Sequence, residues 1–238
     1  MDSHVFPTLL HTVSIGSLVV AILCASLVTM DEIRHPQRMW IMNLVWPLTT
    51  LFGSIVWLWF YFRHGRQSAH TPNSPERKRT DSITVAKAAT HCGAGCTLGD
   101  LLGEGLVLIA PGVAVWFGWH SLFQEKMIAA WIVDFIFAYL CGIAFQYFTI
   151  TPMQHLSLKQ GLIRALKVDT ASIAAWQVGM YGVMAMIQFL WFSPSYGRTA
   201  PASTPEFWFA MQLAMLAGFF ISYPVNAFLL HQGTKEPM

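Results

Sequence analysis

Residues whose types and spacing could do chemistry crowd into one short stretch, HCGAGCTLGDLLGE, residues 91–104. On a helix, Cys92, Cys96, Asp100 and Glu104 recur every fourth residue and form one slowly drifting stripe. Thiols four apart can point at one ion, with His91 as a third ligand. Soft thiolates suit Cu(I) or Zn(II), and imidazole suits either. Asp100 and Glu104 lie in an apolar context, where carboxyls face a partner or water. Asp134, in MIAAWIVDFIFAYLC, is a third such acid, and the three together offer charge compensation or a proton path. His11 is a further candidate to pair with one of these acids.

Each signal has a plainer counterpart. Cysteine is a small apolar residue, and C-x-x-x-C is far less specific than paired C-x-x-C knuckles. Gly95, Gly99 and Gly103 form a second stripe beside the first, at a spacing that lets a neighbouring helix backbone approach closely. Met180 with Met184, and Met211 with Met215, are also four apart. Thioethers are soft Cu(I) ligands, yet methionine is equally an ordinary gap-filler. Cys24 and Cys141 are isolated and read as packing. Tyr223 and Asn226 flank Pro224, where a broken backbone ladder in a membrane helix can line a cavity.

The elements that must position these groups are membrane helices. The chain has 238 residues, 55% hydrophobic and only 11% charged, against about 25% charged in soluble domains. Apolar runs near 6–29, 40–62, 98–119, 127–150, 171–192 and 207–230 are long enough to cross a bilayer, which takes roughly 20 residues. The first lacks a basic leader and reads as a retained helix. The expected fold is therefore an all-α bundle of six transmembrane helices. Residues 1–62 supply two of them, 63–90 form a flexible polar linker, and 91–238 form a four-helix domain headed by the cysteine stretch. Within that domain SLKQGLIRALKVDT carries a capping box at Ser157 and Gln160 and reads as an interfacial amphipathic helix. Ten of the 14 Lys and Arg residues fall in the 63–97 loop, the 151–170 connection and the C-terminal tail. With six spans, that bias puts both termini in the cytoplasm. A formal charge of +2 with no basic patch argues against nucleic acid. The implied partners are the lipid bilayer, a second copy of the chain or other membrane subunits.

The segments HCGAGCTLGD, VDTASIAAWQVGMYGVMA and YPVNAFLLHQGTKEPM together resemble an uncharacterised prokaryotic membrane family, the domain-of-unknown-function family forty-three ninety-six. The resemblance covers roughly 88–238. Its motif positions are His91, Cys92, Gly93, Gly95, Cys96, Gly99 and Asp100, then Asp169, Gln177, Gly179, Tyr181 and Gly182, and finally Tyr223, Pro224 and Asn226. It implies a four-helix membrane module in a prokaryotic cytoplasmic membrane, here preceded by two extra spans. Some relatives carry names linked to copper oxidases, but the family assigns no residue a role.

Three functions stay open on the residues alone. The leading one is a membrane protein that binds or transports a soft ion, Cu(I) or Zn(II), through His91, Cys92 and Cys96. The second is a membrane thiol oxidoreductase cycling Cys92 and Cys96, although disulfide geometry needs local distortion on a regular helix. The third is a structural or partner-binding subunit. No phosphate loop, dinucleotide fingerprint or H-E-x-x-H is present, so the balance leans away from an enzyme.

Overall fold

The computed structural model describes residues 6–66, 81–154 and 157–235. Among them the chain is helical: α1 (Thr8–Arg34), α2 (Met42–Phe60), α3 (Ser82–Ile109), α4 (Gly112–Trp116), α5 (Lys126–Gln154), α6 (Leu158–Ala185), α7 (Ser193–Tyr196) and α8 (Pro205–His231). A π-helical turn, Tyr61–Gly65, extends α2, and another, Met186–Phe192, joins α6 to α7. Six of these segments are long and apolar enough to cross a membrane. They make a multi-pass membrane protein whose outward side chains, such as Leu9, Ile109, Leu140 and Phe220, are apolar because lipid is the solvent there.

Helix ends define two faces. His11 near the start of α1 bonds Glu206 at the start of α8, Nδ1 to Oε1 2.7 Å, so His11 meets neither Glu104 nor Asp134. At the other face, Tyr223 Oη near the end of α8 donates to Ser82 O at the start of α3, 3.2 Å. This second face also carries Arg66 and Asp81, which flank the linker, and is called the linker face below. Most of the expected linker, residues 67–80, lies outside the described residues.

The single crossing expected for 40–62 is not what α2 makes. At Ser54 the backbone leaves the helical region, with φ 45 and ψ −127, and the chain turns back. The Trp46 ring sits 5.6 Å from both Phe60 and Tyr61. In one straight helix, 15 residues would hold Trp46 and Tyr61 about 22 Å apart at 1.5 Å per residue. Gln37 Nε2 reaches Gly65 O at 3.3 Å, and Arg66 Nε pairs with Asp31 Oδ2 at 2.9 Å. Both ends of α2 therefore lie at the linker face, and its tip, Gly53–Ser54, stands inside the bundle. A broken backbone at membrane depth needs partners from the protein. Gln212 Nε2 of α8 donates to Leu51 O, 2.8 Å, and Ser17 Oγ of α1 donates to Gln212 Oε1, 2.6 Å.

Two other expectations are revised. α3 begins at Ser82 rather than near 98, and so absorbs residues 82–90 that were assigned to the linker. The amphipathic segment from Leu158 is no separate helix but the first turns of α6, running unbroken into the fifth candidate span. Its capping pair is present, with Ser157 N–H donating to Gln160 Oε1 at 3.4 Å.

Candidate functional site

α3 is the element that organises the interior. From Ala88 to Thr97 every residue is buried, so this length of helix is surrounded by protein on all sides. Its glycine stripe lies against α5 in antiparallel register, with Gly95 on Gly142, Gly99 on Ala138 and Gly103 on Asp134. A methyl group on Gly95 would stand 2.6 Å from Gly142 Cα; on Gly99 it would fall on the Ala138 backbone, and on Gly103 on Asp134 Oδ1. Backbones this close are possible only without side chains between them. The same register delivers Asp134 to α3 at the depth of Glu104.

Three buried carboxyls lie along this seam, at 1% (Asp100), 4% (Glu104) and 0% (Asp134) exposure. The Glu104 and Asp134 groups adjoin, and Asp100, one turn along α3, lies within electrostatic reach of both. Tyr181 of α6 stands within reach of all three; its ring stacks on Trp131 at 5.0 Å and its hydroxyl donates to Trp131 O at 2.8 Å. Gln177, one turn earlier on α6, turns its amide toward Asp100. Yet among the described residues no hydrogen-bond partner meets either oxygen of Asp100 or Asp134, Oε1 of Glu104, or either end of the Gln177 amide. Lys126 is the cation that acts on Glu104, but its ammonium donates to Val107 O at 3.1 Å and lies over the Trp119 ring. A bare carboxylate in an apolar interior is costly unless a proton or a cation neutralises it.

Two cavities approach this group from different sides. One, of about 150 Å³, is lined by Glu104 together with Lys126, Glu125 and residues 199–202 of the loop before α8, at the face opposite the linker. The other, of about 290 Å³, lies between α1, the tip of α2, α3 and α8 and is lined by Asp100. Asp100 and Glu104, one turn apart on α3, thus border different cavities.

The expected ligand set His91, Cys92 and Cys96 does not converge. The Cys92 and Cys96 thiols do adjoin, and both are free and buried. Because α3 starts at Ser82, however, Cys92 sits about 15 Å along the helix, inside the bundle rather than at its mouth. Both share one core with Trp176, Met180, Met184, Met211 and Met215, so the two methionine pairs are buried with the thiols. His91 is aimed at α5 instead. The Thr149 hydroxyl donates to Phe145 O at 3.0 Å and so accepts from His91 Nε2 at 2.9 Å. Among the described residues no three His, Cys, Asp or Glu side chains gather to hold a metal.

A second polar centre sits near the linker face. Lys235, read from sequence as a tail charge, is wholly buried. Its Nζ pairs with Asp169 Oδ1 of α6 at 2.7 Å and donates to Asn226 Oδ1 of α8 at 2.8 Å. Ser172 Oγ donates to the same Asn226 oxygen at 3.1 Å. Asn226 is therefore the acceptor that ties the tail down, whereas Tyr223 pins the start of α3. Gln177, Tyr181 and Asp169 appeared only as motif positions of the resemblance; for Lys235, nothing local in HQGTKEPM signals burial.

A multi-pass α-helical membrane protein with a buried acidic centre is the class that fold and site define. The family model described as a domain of unknown function (DUF4396) matches residues 83–235, and the chain belongs to that family. The match begins at α3 and ends at Lys235, so it takes in the whole acidic centre and the buried tail. No curated protein and no solved structure matches the chain.

Proposed function

We propose that this protein moves a cation across the membrane along the acidic column of α3 and α5, and that the proton is the cation best suited to it. The observation that carries this reading is the run of buried carboxyls, Asp100, Glu104 and Asp134, lying between a cavity bordered by Glu104 and another bordered by Asp100. A carboxyl that accepts a proton on one oxygen can release one from the other, so adjoining acids pass protons without moving the backbone. Glu104 takes the proton from the smaller cavity, Asp134 shares it, and Asp100 delivers it to the larger one. Gln177 and Tyr181 of α6 border the column. Protein in liposomes loaded with a pH-sensitive dye should collapse an imposed pH gradient faster than empty liposomes. Glu104→Gln with Asp134→Asn should abolish the excess flux; an unchanged rate in that double variant removes the proposal.

The membrane is a prokaryotic cytoplasmic one on this reading, with the linker face inward. Among the described residues Arg34, Arg38, Arg63, Arg66, Lys87, Lys159, Arg164, Lys167 and Lys235 belong to that face, against Lys126 and Arg198 opposite. Because α2 turns back, Arg34 and Arg38 join the basic side, and the positive-inside bias is stronger than six straight spans allow. The N terminus then lies outside and the C terminus inside, in place of the shared cytoplasmic location expected from sequence.

A second reading keeps the soft metal ion. The adjoining Cys92 and Cys96 thiols, in a core that also holds four methionines, are a soft donor set suited to Cu(I). Cu(I) stoichiometry on purified protein, with and without Cys92→Ser/Cys96→Ser, tests it. Equal binding by both forms ends that reading.

A further inference from the structure

The first turns of α6 put cations and apolar side chains on one outer surface. Lys159 and Lys167 are exposed and Arg164 is half-buried, while Leu158, Leu162 and Ile163 beside them are 77%, 48% and 44% exposed. Among the described residues none of these three cations is in an ion pair. Of the acids at the linker face, Asp31 pairs with Arg66, Asp169 with Lys235, and Glu32 accepts from the Gln37 amide. The depth of the segment is marked by its neighbours. A Cβ on Gly161 would stand 2.9 Å from the Tyr147 ring of α5, so the two helices are level there. One residue on, Phe148 lies edge-on to Trp40 at 5.2 Å, and both rings are exposed. Exposed aromatics of this kind gather where hydrocarbon meets headgroups. Lys159 is therefore at headgroup level, and Lys167 lies about 12 Å further along the helix. Side chains on an α-helix lean toward its N-terminus, which for α6 is the linker face. Arg164 and Lys167 thus extend back toward the headgroup layer.

Cations at this depth without a protein counter-ion attract a lipid phosphate. Arg164 and Lys167 are three residues apart, neighbours on the helix surface, and can share one phosphate through charge-assisted bonds. Lys159, Ile163 and Lys167 are four apart and form one stripe, with an apolar side chain between two ammoniums. The same exposed face continues into the membrane through Ala174 and Val178, where an acyl chain lies. A zwitterionic lipid brings its own cation beside the phosphate and gains less from this surface. A soluble anion meets the charges but leaves the apolar side chains uncovered. We propose that the start of α6 is a binding site for an anionic phospholipid. Its phosphate sits between Arg164 and Lys167, Lys159 meets the outer side of the headgroup, and an acyl chain runs along Ile163, Ala174 and Val178. Leu158 and Leu162 seat the helix end in the interface beside it. The site stands apart from the acidic column and does not depend on it.

The test offers the full chain in detergent equal amounts of dioleoylphosphatidylglycerol and dioleoylphosphatidylcholine and counts the retained lipids by native mass spectrometry. The parent should keep the phosphatidylglycerol in preference, and added salt should weaken that preference, because exposed charges are screened. A Lys or Arg beside an anionic headgroup is worth about fivefold in affinity, so Lys159→Gln/Arg164→Gln/Lys167→Gln should lose roughly a hundredfold. Lys159→Arg/Lys167→Arg keeps the charges and should keep the preference, as should Arg198→Gln at the opposite face. If the triple variant fails to fold, the three single variants, each expected to lose about fivefold, decide. Equal retention of the two lipids by the parent, or a preference that survives the neutral variants, overturns the proposal. So does binding of inorganic phosphate or poly-glutamate through the same three residues without any preference between the lipids, which would make the surface a site for a soluble anion.

Discussion

Replacing Lys235 by methionine leaves Asp169 buried at 0% exposure with its counter-ion gone. One oxygen, Oδ2, already lacks a hydrogen-bond partner, and Oδ1 loses its 2.7 Å ion pair. Removing one partner of a buried pair costs about 3–5 kcal/mol, because the remaining charge is stranded. For a chain of this size each kcal/mol moves the midpoint by about 2–4 °C, so Lys235→Met should melt roughly 6–20 °C below the parent. Replacing both partners, Asp169→Leu with Lys235→Met, removes the stranded charge along with the pair, and such swaps are often close to neutral. Thermal unfolding in detergent, followed by the fluorescence of the ten tryptophans, should give the order parent, double variant, single variant. A single variant as stable as the double would refute the reasoning, since the penalty would then come from lost packing of the tail and not from the buried carboxylate.

Gly99→Ala should destabilise by about 1–3 kcal/mol through overpacking, because its methyl would meet the Ala138 backbone, whereas Gly105→Ala, with open space around it, should be neutral or slightly stabilising; parallel melts decide. At Ser54, held at φ 45, valine should cost about 1–3 kcal/mol and glycine nothing, as read from the same melts; equal effects would mean that the reversal of α2 does not rest on this backbone conformation. Reporter fusions at the two termini should report opposite faces of the membrane. A result placing both on one face would falsify the odd number of crossings.

Much of the bundle was legible because lipid imposes a simple rule on outward surfaces, and apolar runs of the required length stand out. The glycine stripe was legible for a related reason: Gly95, Gly99 and Gly103 repeat at helical spacing, and Gly142, Ala138 and Asp134 answer them across the interface. What failed was the inference from polarity to position. Residues 82–97 look too polar for a span, with Lys87, Thr90 and His91, yet from Ala88 onward they lie at the centre of the protein, where neighbours are other helices and not lipid. The cysteines looked like a mouth for the same reason. The fold-back of α2 was hidden because an apolar run reads alike whether it crosses or returns; in the stretch WPLTTLFGSIVW only Gly53 and Ser54 hint at the break. Lys235 could not be placed at all, since its partner Asp169 is 66 positions away and a burial so distant leaves no local pattern.

The order of assembly follows from the tip of α2. Its free carbonyl, Leu51 O, is satisfied by Gln212, which is 161 positions further along the chain, and Trp57 lies edge-on to Phe219 of α8 at 4.9 Å between ring centres. During synthesis neither partner exists when α2 leaves the ribosome. The segment must wait, shallow in the interface or shielded by the insertion machinery, until the last helix has emerged. Its final seating is then one of the last events in making the protein, and the cavity above Asp100 is completed only when the chain is.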